Sequence, residues 1–133
     1  MPAEFLDTNI LVYFAAADAQ KFARSKGLLI LGGVASVQVL NEFATVARRK
    51  LNLAWSEVEA ALILIRGLLD IHTVTIETHE LGLSLAQRHG FQVHDSMIVA
   101  AALIAGCKTL WSEDMHHGLL VADRLRILNP FRN

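Results

Sequence analysis

With 133 residues, 53% hydrophobic and 19% charged, the chain is long enough for one domain with a real core and too apolar for a disordered segment. The expectation is a single domain over residues 1–133. A formal net charge of −1 excludes a global basic field, so any contact with nucleic acid has to come from a local patch. The lone Cys107 cannot form an intramolecular disulfide, which agrees with a reducing compartment. MPAEFLD lacks the basic-then-apolar order of a signal peptide, and the longest uncharged run, Gly27 to Asn41, is too short and too polar to span a bilayer. A cytoplasmic protein with no membrane partner is expected.

In chain order, Glu4 to Asp7 reads as a short buried strand, with Thr8 or Asn9 capping the helix that follows, which puts Asp7 at the strand's carboxyl end. Gln20 to Leu31 has helical character and stops at Gly32-Gly33, and Val34 to Ser36 makes a brief strand. The next helix starts near Ser36, with Leu40, Phe43, Ala47 and Leu51 as its apolar stripe and Arg48, Arg49 and Lys50 at its far end. Ser56-Glu57-Val58-Glu59 has the form of a capping box opening a helix to about Leu69. His72 to Ile76 alternates in the strand period, and Thr78 to His89 is a helix closed by Gly90. A very apolar helix, Ser96 to Ala105, stops at Gly106; Lys108 to Ser112 is a buried strand, and Leu125 to Leu128 an edge strand before Pro130. Strands separated by helices imply a three-layer α/β/α fold with a mainly parallel central sheet.

In such a sheet ligands bind outside the carboxyl ends of the strands, where Asp7 and Asp114 fall. Glu42 borders the buried stripe of its helix beside Val39 and Val46, and Asp95 stands at the mouth of the apolar helix. Each has a bland alternative: Asp95 as an N-cap, Asp114 as a turn former, Glu42 as a rim residue or half of an ion pair. Asp7 is hardest to explain so, because a carboxylate among Phe5, Leu6, Ile10 and Leu11 is costly to bury unless a cation compensates it. No Lys or Arg lies close to Asp7, Asp95 or Asp114 in sequence. Mg²⁺ or Mn²⁺ prefers such oxygen ligands, and their usual chemistry is phosphodiester hydrolysis.

The chain resembles PIN-domain nucleases, and more narrowly the VapC-type toxins of toxin–antitoxin pairs. The likeness is carried by FLDTNILVY, SVQVLNEF and HDSMIVAAAL, each with one acid, by LWSEDMHHG, with two adjacent ones, and by the closing LNPF. It implies a PIN fold whose metal-binding acids are Asp7, Glu42, Asp95 and Asp114, with Asn9 and Ser112 in support and Glu113 as the alternative to Asp114. His94 stands where this subgroup often has Trp. The resemblance further implies an endoribonuclease dependent on Mg²⁺ (or Mn²⁺), an RNA substrate, a cognate antitoxin and a homodimer. A non-catalytic PIN-like scaffold and a PIN nuclease of RNA maturation are the alternatives. Arg48 and Arg49, on the Glu42 helix, are candidate RNA contacts. His116 and His117 invite a metal or acid role that hard-cation chemistry does not need.

Overall fold

The structure, a computed structural model, describes residues 3–132. Its elements run β1 (Glu4–Leu6), α1 (Thr8–Ala15), α2 (Phe22–Ile30), β2 (Val34–Ser36), α3 (Val37–Arg49), α4 (Trp55–Leu68), β3 (Asp70–His72), α5 (Ile76–His89), α6 (Val93–Ile104), β4 (Thr109–Trp111), β5 (Leu120–Val121) and β6 (Leu125–Leu128). The sheet order is β3-β2-β1-β4-β6-β5, parallel throughout except for β5 against β6. Helices α1 to α4 pack among themselves and α5 packs on α6, giving the three-layer α/β/α arrangement. Among the described residues no helix is long and apolar enough to cross a membrane.

Central strands covered on both faces have no need of polar alternation. Phe5, Leu6, Leu110 and Ile127 are accordingly buried, as is the run Ile98 to Leu103 of α6. Gly33 lies where β1 and the α2–β2 turn meet: a Cβ there would stand 2.7 Å from the Glu4 carbonyl oxygen, a clash that only glycine avoids.

Several boundaries differ from expectation. Asp7, not Thr8 or Asn9, caps α1, because its carboxylate accepts from the Thr8 N–H. Helix α2 is shorter than Gln20 to Leu31. Helix α3 ends at Arg49, so Leu51 is outside it, and its buried positions are Val39, Phe43 and Ala47. The cap of α4 falls at Ala54, not Ser56; only half of a capping box forms, Glu57 reaching back to the Ala54 N–H at 2.8 Å. The strand expected at His72 to Ile76 is Asp70–His72. Thr75 and Thr78 exchange backbone–side-chain hydrogen bonds and start α5 two residues early, at Ile76. Helix α6 begins at Val93 behind Gln92, so Asp95 lies in its first turn and is not its N-cap. Leu125–Leu128 is not the edge strand: β5, too short to show a sequence pattern, covers it.

Candidate metal and nuclease site

Strands β1 and β4 pair in parallel with Leu6 opposite Trp111, and the Asp7 N–H donates to the Trp111 carbonyl at 3.0 Å. The ladder thus delivers Asp7 and Ser112 side by side at the carboxyl edge. Ser112, fully buried, donates its hydroxyl to Asp7 Oδ2 at 2.7 Å and accepts the Asp114 N–H at 3.2 Å. The other Asp7 oxygen accepts from the Thr8 N–H at 2.7 Å. Asn9 ties the loop together: its amide nitrogen donates to Asp114 Oδ2 at 3.1 Å and reaches Asp7 Oδ2 at 3.4 Å, while its carbonyl accepts the Glu113 N–H at 3.2 Å.

Asp7 is only 4% exposed. Burial pushes its carboxyl up to about 6; the hydrogen bonds from Ser112 and Thr8 oppose this, while the charges of Glu42 and Asp114 reinforce it. Asp95, half-buried at the start of α6, is raised for the same reasons, burial first and then Asp114 and Glu42. Glu42 enters from α3, where the Thr8 hydroxyl donates to Oε2 at 2.8 Å and the Gln38 amide to Oε1 at 3.0 Å. Gln38 also donates to the His94 carbonyl at 3.1 Å, joining α3 to α6. The exposed His94 ring stands 3.8 Å from Glu42.

Asp7, Glu42, Asp95 and Asp114 therefore line one open cleft of about 710 Å³, together with Asn9, Tyr13 and Lys50. Glu113 does not. It turns away to accept from the Tyr13 hydroxyl and the Lys21 ammonium. Arg48 and Arg49 are also absent from the cleft wall; Arg48 lies over the Trp55 ring at 4.5 Å and donates to the Leu53 carbonyl at 2.9 Å. Lys50 is the cation of this cluster that reaches the cleft. His117 accepts the Asn129 N–H at 2.9 Å, a structural use.

Three participants escaped the sequence reading: Thr8 and Gln38, which orient Glu42, and Lys50, passed over in favour of its neighbours. Val39 and Val46 had marked the Glu42 face of α3; Gln38, at i−4 from Glu42, could have been found by the same spacing.

A hard divalent cation suits this site in donor chemistry. The donors are all oxygen, and among the described residues no Lys or Arg pairs with any of the four carboxylates. As they stand, however, no three His, Cys, Asp or Glu side chains among the described residues form a ready-made ligand cluster.

The family profile of the PIN domain matches residues 5–120. No curated protein sequence matches. Among solved structures, the chain is similar to VapC20 of Mycobacterium tuberculosis, a sarcin–ricin loop cleaving toxin, with a TM-score of 0.69 and 20% identity over 84% of this chain and 92% of that one. It is similar to a chain of a toxin–antitoxin complex from Klebsiella pneumoniae, with a TM-score of 0.74 and 15% identity over 96% and 98%. VapBC2 from Rickettsia felis, bound to a DNA fragment from its promoter, gives a TM-score of 0.67 and 21% identity over 95% and 97%. At such identities the likeness speaks for the fold, and it agrees with the profile match across most of the sequence: the chain belongs to the PIN domain family.

Proposed function

We propose that this PIN domain is a Mg²⁺- or Mn²⁺-dependent endoribonuclease and the toxin of a toxin–antitoxin pair, acting on RNA in the cytoplasm. The observation that carries the reading is the convergence of Asp7, Glu42, Asp95 and Asp114 on one cleft, with no Lys or Arg among the described residues in an ion pair with any of them. Structural likeness to a toxin that cleaves the sarcin–ricin loop and to toxin–antitoxin complexes supports the substrate and the partner.

The four carboxylates are the proposed ligands, and a bound cation would offset phosphate charge and lower the pKa of an attacking water. The protein's own contribution is orientation. Ser112 and the Thr8 N–H hold the Asp7 carboxylate from both sides, Thr8 and Gln38 hold Glu42, and Asn9 spaces Asp7 from Asp114. Lys50, on the cleft wall, is placed to meet an incoming phosphate. Ile30 and Leu31 at the end of α2 and Ile63 and Leu64 on α4 stay exposed, apolar surface that supports an antitoxin partner and self-association.

The test is cleavage of a broad RNA panel with Mn²⁺ and with chelator. Metal-stimulated cleavage is expected from the parent and none from Asp7→Asn, whose circular dichroism should match the parent. Cleavage by Asp7→Asn at the parental rate contradicts the assignment. A small protein encoded beside this chain should copurify with it and suppress cleavage.

The absence of a ready-made ligand cluster among the described residues favours a second reading, a non-catalytic PIN-like scaffold. Mn²⁺ binding without cleavage of any RNA in the panel would select it. A nuclease of RNA maturation shares all the chemistry and would be recognised by a defined precursor as its preferred substrate.

A further inference from the structure

Two cavities meet at the carboxylates. Beside the 710 Å³ cleft lies a second of about 530 Å³ that shares Asp95 and Asp114 with it and runs on over His89, Phe91, Gln92 and His116. We propose that this second cavity is a nucleotide subsite, holding the single-stranded RNA on one side of the scissile phosphate while the Lys50 arm of the first cleft holds the other side. The proposal rests on the ribonuclease reading of the acids and adds the path of the strand to it.

A phosphodiester cut in the interior of a strand carries a nucleotide on each side, so the acids need an exit in both directions. The two cavities share Asp95 and Asp114 in their walls and otherwise have different linings, so the same carboxylates open onto both. Wall chemistry supports the assignment. Apart from the two shared acids no carboxylate among the described residues lines the second cavity, so a polyanion leaving the cleft meets no further negative charge from them there.

The His89 and Phe91 rings stand 5.4 Å apart at 39°, on either side of Gly90. Gly90 closes α5 in the left-handed conformation, φ 75°, and a Cβ there would meet nothing within 4 Å, so the wall between the rings is open. Both side chains are half-buried, Phe91 against the core, and the parts that line the cavity offer aromatic surface of the kind that stacks on bases whatever their identity. Gln92, exposed ahead of α6, carries both a donor and an acceptor for a base edge, and the exposed His116 can donate to a phosphate or a base. The adjacent histidines divide their roles: His117 is engaged with Asn129, and His116 lines the cavity.

The experiment compares two substrates in Mn²⁺: short single-stranded RNA of random sequence, and bis(p-nitrophenyl) phosphate, a diester too small to extend past the acids. The variants are Gln92→Ala/His116→Ala and, separately, His116→Glu, all at exposed positions, with melting curves to show that each is folded. For RNA the double variant is expected to raise KM about tenfold with kcat within about twofold of the parent, and His116→Glu, which adds repulsion, should raise KM further. For the small diester KM should move less than about twofold in both. RNA KM values close to the parent's in both variants would overturn the subsite and leave the ribonuclease reading intact. Equal rises for RNA and the small diester would also overturn it, because the variants would then be disturbing the acids themselves. A parent that cleaves neither substrate overturns the ribonuclease reading and the subsite with it.

Discussion

Just past β4 two consecutive carboxylates keep different company. Glu113 accepts from both the Tyr13 hydroxyl and the Lys21 ammonium, and Lys21 lies 4.4 Å from the Tyr13 ring centroid and 5.3 Å from that of Phe131. Asp114, one residue on, faces the cleft with Asn9 as its polar neighbour and, among the described residues, no Lys or Arg partner. Among the described residues the neighbouring cation pairs with the acid outside the cleft, and the cleft acids have no Lys or Arg ion-pair partner. On the proposed function, that division separates a carboxylate serving the structure from one kept available to a ligand.

The largest expected effect breaks this contrast directly. Asp114→Asn should lower Mn²⁺-dependent kcat/KM for RNA by about a hundred- to a thousandfold, whereas Glu113→Gln should cost no more than about fivefold, because it loses only a partly buried ion pair that lies outside the cleft. Matching losses from the two variants would erase the distinction.

Next in size is a pH effect on the metal-free protein. Burial, reinforced by the charges of Glu42 and Asp114, raises the Asp7 carboxyl from 3.8 to about 6, so between those values the folded chain holds a proton that the unfolded chain has released. Stability therefore falls as pH rises from about 4 to about 6, is level above that for this group, and is regained on acidification, a change of about 3 kcal/mol. Asp95 contributes in the same direction. Urea unfolding in chelator checks this, with Asp7→Asn expected to lose most of the parent's slope. A parent and variant with the same pH dependence would show that Asp7 is not held in this way.

A smaller effect is expected at Asn9, whose amide spans Asp7, Asp114 and the Glu113 N–H. Asn9→Ala should reduce kcat/KM about ten- to a hundredfold, as loss of an orienting neighbour does. Unaltered kcat/KM would mean that Asn9 spaces the loop without preparing the acids.

The outline of the fold and the cleft acids was legible because each signal is local. Apolar strands punctuated by acids, and helices stopped at Gly32, Gly90 and Gly106, show in a single pass along the chain. The interrupted run around Asp7 pointed to the cleft because a carboxylate is costly to bury. What escaped notice depends on tertiary contact. Arg48, Arg49 and Lys50 form one basic cluster in sequence; in the structure Arg48 lies over Trp55 at the start of α4, and Lys50 is the one on the cleft wall. Glu113 and Asp114 could not be separated by pattern, since a loop has no period; Tyr13 and Lys21, about a hundred residues earlier, decide which one turns away. The Thr75–Thr78 pair outweighed the alternation that suggested a longer β3, because reciprocal capping satisfies backbone donors that a strand end would leave open.

The central claim is that Asp7, Glu42, Asp95 and Asp114 form a site for a hard divalent cation. Calorimetric titration of Mn²⁺ into the chelator-stripped parent and into Asp7→Asn tests it most directly. The account predicts saturable binding to the parent and loss of that binding in the variant. Equal binding to both proteins, or none to the parent, would contradict it.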